Sequence, residues 1–313
     1  MKKVGIIGGA GFIGSHTTQK FLTAGYHVRV SASDPANSAK YEHLHSFPHS
    51  DRVELKPLDV QNKDQLRAFV DGCDIVVHGG TPFQLAVNDP KTELFDPTIN
   101  GTKNFLEIVR ETPSVRKVVI IASVAAYNTN YPMPADGKGP EDTTDESDIP
   151  YLNQEGHPYS QAKFYAHQAV QEFIKNNTSE QVEITSVLPT WVVGKSLSNR
   201  EDSTSSGLQF LMKNNIAPDP FVQMLYDNDV EFAVVDVKDV AEGIYKASIT
   251  SGLHGKNYFL TSESWKVSDI KAMLNNEQPK NSARIVYLNN AAQQDLGIHF
   301  NPAQIPLNAF GKQ

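Results

Sequence analysis

The sequence predicts an α/β chain, a doubly wound parallel sheet with a smaller interleaved C-terminal lobe. Three observations carry this reading. Short β-branched runs alternate with helical patterns, a glycine-rich turn joins the first run to the first helical pattern, and the alternation weakens after about Pro189. Strands alternating with helices imply βαβ units, whose helices cover both faces of a parallel sheet.

In chain order, residues 4–7 read as a strand and 14–24 as the helix that follows. Residues 27–32 form a second strand, closed by the polar turn at Asp34-Pro35. Residues 53–56 precede a helix near 63–70, and 75–78 end at Gly79-Gly80 before a helix around 98–110. Strands follow at 117–121 and 184–188, separated by a helix over 158–174. Later, 196–206 reads as a polar mobile loop, 232–235 as a strand, 239–248 as a helix, and 257–260 and 285–288 as small strands. The segment 135–157, rich in Pro, Gly and acid, reads as a solvated loop, with an active-site cover as the alternative.

Bulk properties narrow the function classes. The 313 residues are 39% hydrophobic and 20% charged, which is neither a disordered nor a membrane composition. A net charge of −8 argues against nucleic acid, because nothing neutralises a phosphate backbone in bulk. The single cysteine, Cys73, fits a reducing compartment. The opening apolar stretch breaks at Gly8 and Gly9, too soon for a leader's apolar region, and no run approaches the roughly 20 residues of a membrane span. The expectation is a cytoplasmic chain without a membrane or nucleic-acid partner, either monomer or homodimer.

Gly8, Gly11 and Gly14, with Phe12 and Ile13 between, sit where a strand turns into a helix. Gly8 allows the tight turn, Gly11 lets backbone approach a pyrophosphate, and Gly14 lets helix and strand pack closely. This is a dinucleotide-binding loop of the Rossmann type. An NAD-selective chain carries an acid at the end of the second strand, about 20 residues on. Ala32 stands there, and Asp34 comes late, in a turn. Ser33 and Lys40 suit a 2′-phosphate, so the reading favours NADP and leaves NAD open.

Tyr159 and Lys163 lie four apart on one helix, so phenol and ammonium share a face. A nearby ammonium lowers a phenol's pKa from about 10 and makes it a usable proton donor. Ser123 ends the strand 117–121, at the carboxyl edge where open sheets bind ligands. Its hydroxyl is placed to hold a carbonyl oxygen beside Tyr159. Ser123, Tyr159 and Lys163 are therefore the catalytic candidates. His43, His45 and His49 lack a matching carboxylate or thiol set, so no metal is expected. Phe83, Tyr127, Trp191 and Phe221 are candidates to line an apolar substrate pocket, with core packing equally open.

These residues together resemble the extended short-chain dehydrogenase/reductase family, within the NAD-dependent epimerase/dehydratase superfamily. The similar branch is that of dihydroflavonol 4-reductase and cinnamoyl-CoA reductase. The marks are the glycine loop, Val28 to Pro35, His78 to Pro82, Pro97 to Thr102, Ser123 with Asn128, Asp145 to Ser147, Tyr159 to Lys163, Leu188 to Gly194 and Val235 to Ala241. The resemblance implies that Asp59 and Val60 sit beside the adenine, and that Gly79, Gly80 and Thr81 line the dinucleotide near its centre. It implies that Pro189 and Val192 contact the nicotinamide, that Asn128 faces substrate, and that Lys163 also meets the ribose. Asp59 as a helix cap stays open. Ser33 stands where the branch often has Arg. Val124 and Ala125 stand where the superfamily's dehydratases carry acids.

The expected function is NAD(P)H-dependent reduction of a small-molecule ketone or aldehyde, with Tyr159 as proton donor. A nucleotide-sugar epimerase or dehydratase with recycled NAD, or a non-catalytic dinucleotide sensor, remain the alternatives. Residues 1–188 are expected to form the Rossmann domain, with 232–256 returning to it, while 189–231 and 257–313 form the substrate-binding lobe.

Overall fold

The computed structural model describes residues 2–79, 89–176, 182–198 and 203–312. Among them, seven parallel strands form the main sheet: β1 (Lys3–Ile7), β2 (His27–Ala32), β3 (Val53–Pro57), β4 (Ile75–His78), β5 (Lys117–Ile121), β6 (Glu183–Pro189) and β9 (Asn257–Leu260). Their order is β3-β2-β1-β4-β5-β6-β9. A smaller sheet of order β10-β8-β7 joins β7 (Trp191–Val193), β8 (Glu231–Asp236) and β10 (Glu263–Lys266).

Alternation along each strand sorts side chains to two faces. Val4 and Ile6 of β1 point to one face, under α1 (Phe12–Thr23) and α7 (Val237–Ile249), where Phe21, Val240 and Ile244 bury. Ile7, Val76, Val118 and Ile120 point to the other. They meet Leu66 and Phe69 of α2 (Lys63–Val70), Phe105 of α3 (Gly101–Glu111) and Val170 of α4 (Pro158–Asn176). Each such side chain, fully buried, contributes about 1.5–3 kcal/mol. The small sheet has its own core, where Trp191, Phe232 and Val234 pack with Leu208 of α5 (Thr204–Asn214) and Val222 of α6 (Pro220–Asp227).

Local chemistry explains several boundaries. Asn62 caps α2 by accepting from the N–H groups of Asp64 and Gln65, and Asp219 caps α6 ahead of Pro220. Asp59 therefore caps no helix; its carboxylate accepts from the Gln61 N–H at 2.9 Å.

The structure departs from the sequence expectations in four places. Residues 232–235 join the small sheet as part of β8, whereas 257–260 form β9 of the main sheet beside β6. The expected lobe boundaries shift accordingly: β9's Tyr258, Phe259 and Leu260 are all buried, as suits a strand covered on both faces. Residues 285–288 make only an isolated bridge, at Tyr287, to Thr144. That bridge, with the Glu146 carboxylate accepting from the Phe259 N–H, pins the acid-rich segment to the body. The helix expected from Thr98 begins as a π-helical stretch, Lys91–Asn100, with α3 following. Finally, Thr204 to Ser206, expected in a polar loop, are the first turn of α5, capped by Ser203.

Candidate active site

The main sheet reverses its order between β1 and β4, and ligands of open α/β sheets bind beyond the strand ends there. Gly8 follows β1 with φ +83°, a conformation open to glycine at little cost. Its N–H donates to Ser31 Oγ of β2 at 2.8 Å, which anchors the turn. A Cβ on Gly14 would lie 1.9 Å from the Gly8 carbonyl oxygen, so only glycine fits this close approach. Gly11 N-caps α1 and supplies no side chain to its first turn. The helix thus presents backbone N–H groups, and the positive end of its dipole, toward the loop.

A cavity of about 310 Å³ opens beside this loop. Gly8, Gly11, Phe12, Ile13, Gly14 and Gly79 line one side. Ser123, Tyr159, Lys163, Pro189, Trp191 and Val192 line the other. Ser123 is in extended backbone at the end of β5, where its Oγ also accepts from the Ala125 N–H at 3.2 Å. Tyr159 begins α4 at the second residue, behind Pro158, and its N–H donates to His157 Nδ1 at 3.1 Å. One turn later, Lys163 places its Nζ 5.8 Å from the centre of the Tyr159 ring and 3.5 Å from the Ile121 carbonyl oxygen.

The electrostatics differ from the sequence expectation. Burial raises the Tyr159 pKa above the ordinary phenol value, and a hydrogen bond with Ser123 opposes that rise. Burial also pulls Lys163 down to about 8. The expected lowering of the phenol by the ammonium is not what governs here; loss of water around the phenolate does. Tyr159 is therefore held as the neutral acid.

Other sequence candidates lie apart. Ser33 and Lys40 are outside the cavity, past the end of β2, with Lys40 Nζ donating to Ser33 Oγ at 3.2 Å. Asp34 is engaged in its own turn, accepting from the Ala36 N–H at 3.1 Å. Asp59 is exposed, and Val60 lies against Gly101 at the start of α3. Gly80, Thr81 and Phe83 lie outside the described residues.

Tyr127 and Asn128 do not line the cavity, and Tyr127 takes the core-packing alternative. The Tyr127 ring packs edge-on against Phe259, and its hydroxyl donates to the Glu146 carbonyl. The Asn128 amide is spent internally, on the Met133 carbonyl at 2.8 Å, the Tyr287 hydroxyl at 3.0 Å and the Asn130 N–H at 3.0 Å.

Sequence reasoning missed Tyr131, Pro132, His157, Leu208 and Phe232, which line the cavity. They come from loops, from the small sheet and from α5, and no motif marks them.

The residues present fit a dinucleotide. The glycine loop leaves room that a side chain would fill, and the α1 N-terminus suits a pyrophosphate. Thr190 and Trp191 belong to the far wall, and their buried Oγ1 and Nε1 have no hydrogen-bond partner among the described residues.

The sequence model of the NAD dependent epimerase/dehydratase family matches residues 4–260. A bifunctional dihydroflavonol 4-reductase/flavanone 4-reductase of Pyrus communis is 29% identical over 218 residues, which cover 68% of this chain and 61% of that protein. This chain thus spans about three fifths of the length of that relative. Cinnamoyl-CoA reductase CAD2 of Medicago truncatula is 28% identical over 256 residues, 80% of this chain and 74% of that one. Among solved structures, the yeast methylglyoxal/isovaleraldehyde reductase Gre2 complexed with NADPH superimposes with a TM-score of 0.81 at 21% identity. The superposition covers 99% of this chain and 97% of Gre2. Gre2 of Candida albicans with NADPH gives 0.83 at 20% identity, over 100% and 98%. These likenesses show the same fold.

Proposed function

The chain belongs to the NAD-dependent epimerase/dehydratase family, and from that premise we propose that it reduces a ketone or aldehyde carbonyl of a small molecule with NADPH. The observation that supports this most is the sharing of one cavity by the glycine loop, Ser123, Tyr159 and Lys163. Gly8, Gly11, Phe12, Ile13, Gly14 and Gly79 would hold the dinucleotide, with Lys163, Pro189 and Val192 about its reactive end. When bound, the reduced nicotinamide supplies the hydride that the carbonyl carbon needs.

The chain's own groups do the rest. The Ser123 hydroxyl donates to the carbonyl oxygen and fixes it beside Tyr159. Tyr159 transfers its phenolic proton to that oxygen: one O–H bond breaks, another forms, and a phenolate remains. The Lys163 ammonium puts a positive charge near that phenolate, while the one Ser123 hydroxyl proton stays with the substrate oxygen. Trp191, Phe221, Phe232 and Leu208 give the substrate side an apolar wall.

NADPH is favoured over NADH by the chemistry past β2. Ala32 offers no carboxylate to a ribose 2′-hydroxyl, and Asp34 is committed to its turn. Ser33 and Lys40 form a hydroxyl–ammonium pair suited to a 2′-phosphate. The names of the relatives point the same way, since the matched proteins include carbonyl reductases and NADPH complexes. Among the described residues no helix is long and apolar enough to cross a membrane. A buried thiol at Cys73 and a net charge of −8 support a cytoplasmic enzyme without nucleic-acid partners, working as a monomer or homodimer.

The test is NADPH oxidation across a panel of aldehydes, ketones and flavonoid-like carbonyls, with NADH run in parallel. The proposal expects NADPH consumption with several of them and slower turnover with NADH. Purified protein that carries tightly bound NAD and consumes no NADPH would contradict it.

A further inference from the structure

Lys163 forms part of two cavity walls. One belongs to the 310 Å³ site. The other belongs to a small cavity of about 10 Å³ behind it, lined by His78, Thr102, Ile120 and His167 besides Lys163. That is room for about one water.

The small cavity is polar in a particular way. Tyr159, Lys163 and His167 are spaced i, i+4, i+8 along α4, so they share one face. His78 ends β4 and pairs in register with Ile120 of β5, which points it at the same helix layer. Both imidazoles are buried, and among the described residues His78 Nε2 and His167 Nδ1 have no hydrogen-bond partner. Lys163 carries three donor hydrogens, and its protein acceptor is the Ile121 carbonyl oxygen at the long distance of 3.5 Å. Lys163, His78 and His167 line this one small cavity, the ammonium with spare donors and each imidazole with one nitrogen lacking a partner among the described residues. Buried polar groups left in that state are strongly disfavoured, and a water bridging them satisfies all three.

We propose that His78 and His167 are positioning residues for Lys163, acting through one internal water held between β4, α3 and α4. The water accepts from Lys163 Nζ and donates to His78 Nε2 and His167 Nδ1. Burial holds both imidazoles near pKa 4, so they are neutral acceptors at neutral pH. Among the described residues, the titratable side chains sharing a cavity wall with Lys163 are Tyr131, His157 and Tyr159 on the substrate side and His78 and His167 behind. Fixed from behind, the ammonium stays beside the Tyr159 ring. This builds on the reductase reading only in what Lys163 is held for.

Two measurements on the full chain test it without a substrate. A crystal structure at a resolution that shows ordered waters is expected to place one within about 3.2 Å of all three nitrogens. A dry cavity, or a water that touches neither imidazole, overturns the proposal. Lys163 is then titrated by competitive acetylation, read by mass spectrometry of its peptide. His78→Leu and His167→Leu are expected to move its midpoint to lower pH, because the ammonium loses its bridged partner. His78→Gln and His167→Asn, which return an acceptor near Nε2 and Nδ1, are expected to restore it and to fold where the leucine variants fail. A midpoint that does not move in soluble leucine variants, or that the amide variants fail to restore, overturns the proposal. Once a carbonyl substrate is in hand, the leucine variants are expected to lower kcat about tenfold with the KM for NADPH unchanged. Absence of any turnover in the unmodified enzyme sinks the reductase reading and leaves the water and titration results standing.

Discussion

The backbone N–H of Trp191 donates to the phenol oxygen of Tyr131 at 2.9 Å, and that phenol donates in turn to the Ala233 carbonyl. One side chain from the loop after β5 thus ties two strands of the small sheet to the wall of the main cavity. Tyr131→Phe leaves a donor and an acceptor without their partner, which costs about 2 kcal/mol. Urea unfolding is expected to show that loss. The KM for a carbonyl substrate is expected to rise while the Kd for NADPH holds, because the glycine loop is untouched.

Gly14→Ala puts a methyl group 1.9 Å from the Gly8 carbonyl oxygen, a backbone atom that cannot swing aside. The turn must open, and dinucleotide binding is expected to disappear in a calorimetric titration. Gly11→Ala meets the same oxygen at 3.3 Å and is expected to keep measurable binding. Equal binding by both variants would show that the loop does not cradle the ligand.

Lys40→Ala removes the ammonium paired with Ser33 beyond β2. The KM for NADPH is expected to rise about tenfold, the weight of one charge-assisted hydrogen bond, with the KM for NADH little changed. A parallel rise for both cofactors would place the 2′-phosphate elsewhere.

Acid is expected to destabilise the fold between about pH 6.5 and pH 4. His78 and His167 are each held near pKa 4 by burial, below their ordinary 6.5. The unfolded chain binds protons there that the native chain refuses, so stability is full above the unfolded value and falls as pH drops toward the folded one. Each histidine is worth on the order of 3 kcal/mol across that window. Asp239, raised to about 6 by burial, binds its proton in the native state and offsets part of the loss. Urea midpoints at pH 7.5 and 5 are expected to differ, and to differ less in the His78→Gln/His167→Asn double variant.

Strand β2 and helix α2 are legible in the sequence to the residue, because β-branched runs and a helical apolar stripe are local signals. The glycine loop and the Tyr159–Lys163 spacing are legible for the same reason. What pairs with what is less so. Strands 232–235 and 257–260 look alike as short apolar runs, and only tertiary packing sends one to each sheet. Pro97 hides the π-helical stretch, since a proline inside a pattern reads as a boundary. Tyr127 and Asn128 follow Ser123 closely, yet the short turn after Ser123 rotates them into the body. Tyr131, four residues from Tyr127, reaches the cavity instead. Such directions depend on partners such as Phe259 and Ala233, far away in the chain.

The central claim is that Tyr159 gives its proton to a carbonyl oxygen held by Ser123. Single-turnover NADPH oxidation by Tyr159→Phe, beside the unmodified enzyme and with NADPH affinity measured for both, tests it most directly. The account predicts a loss of about 10²-fold or more in the rate with NADPH binding intact. An unchanged rate would contradict it.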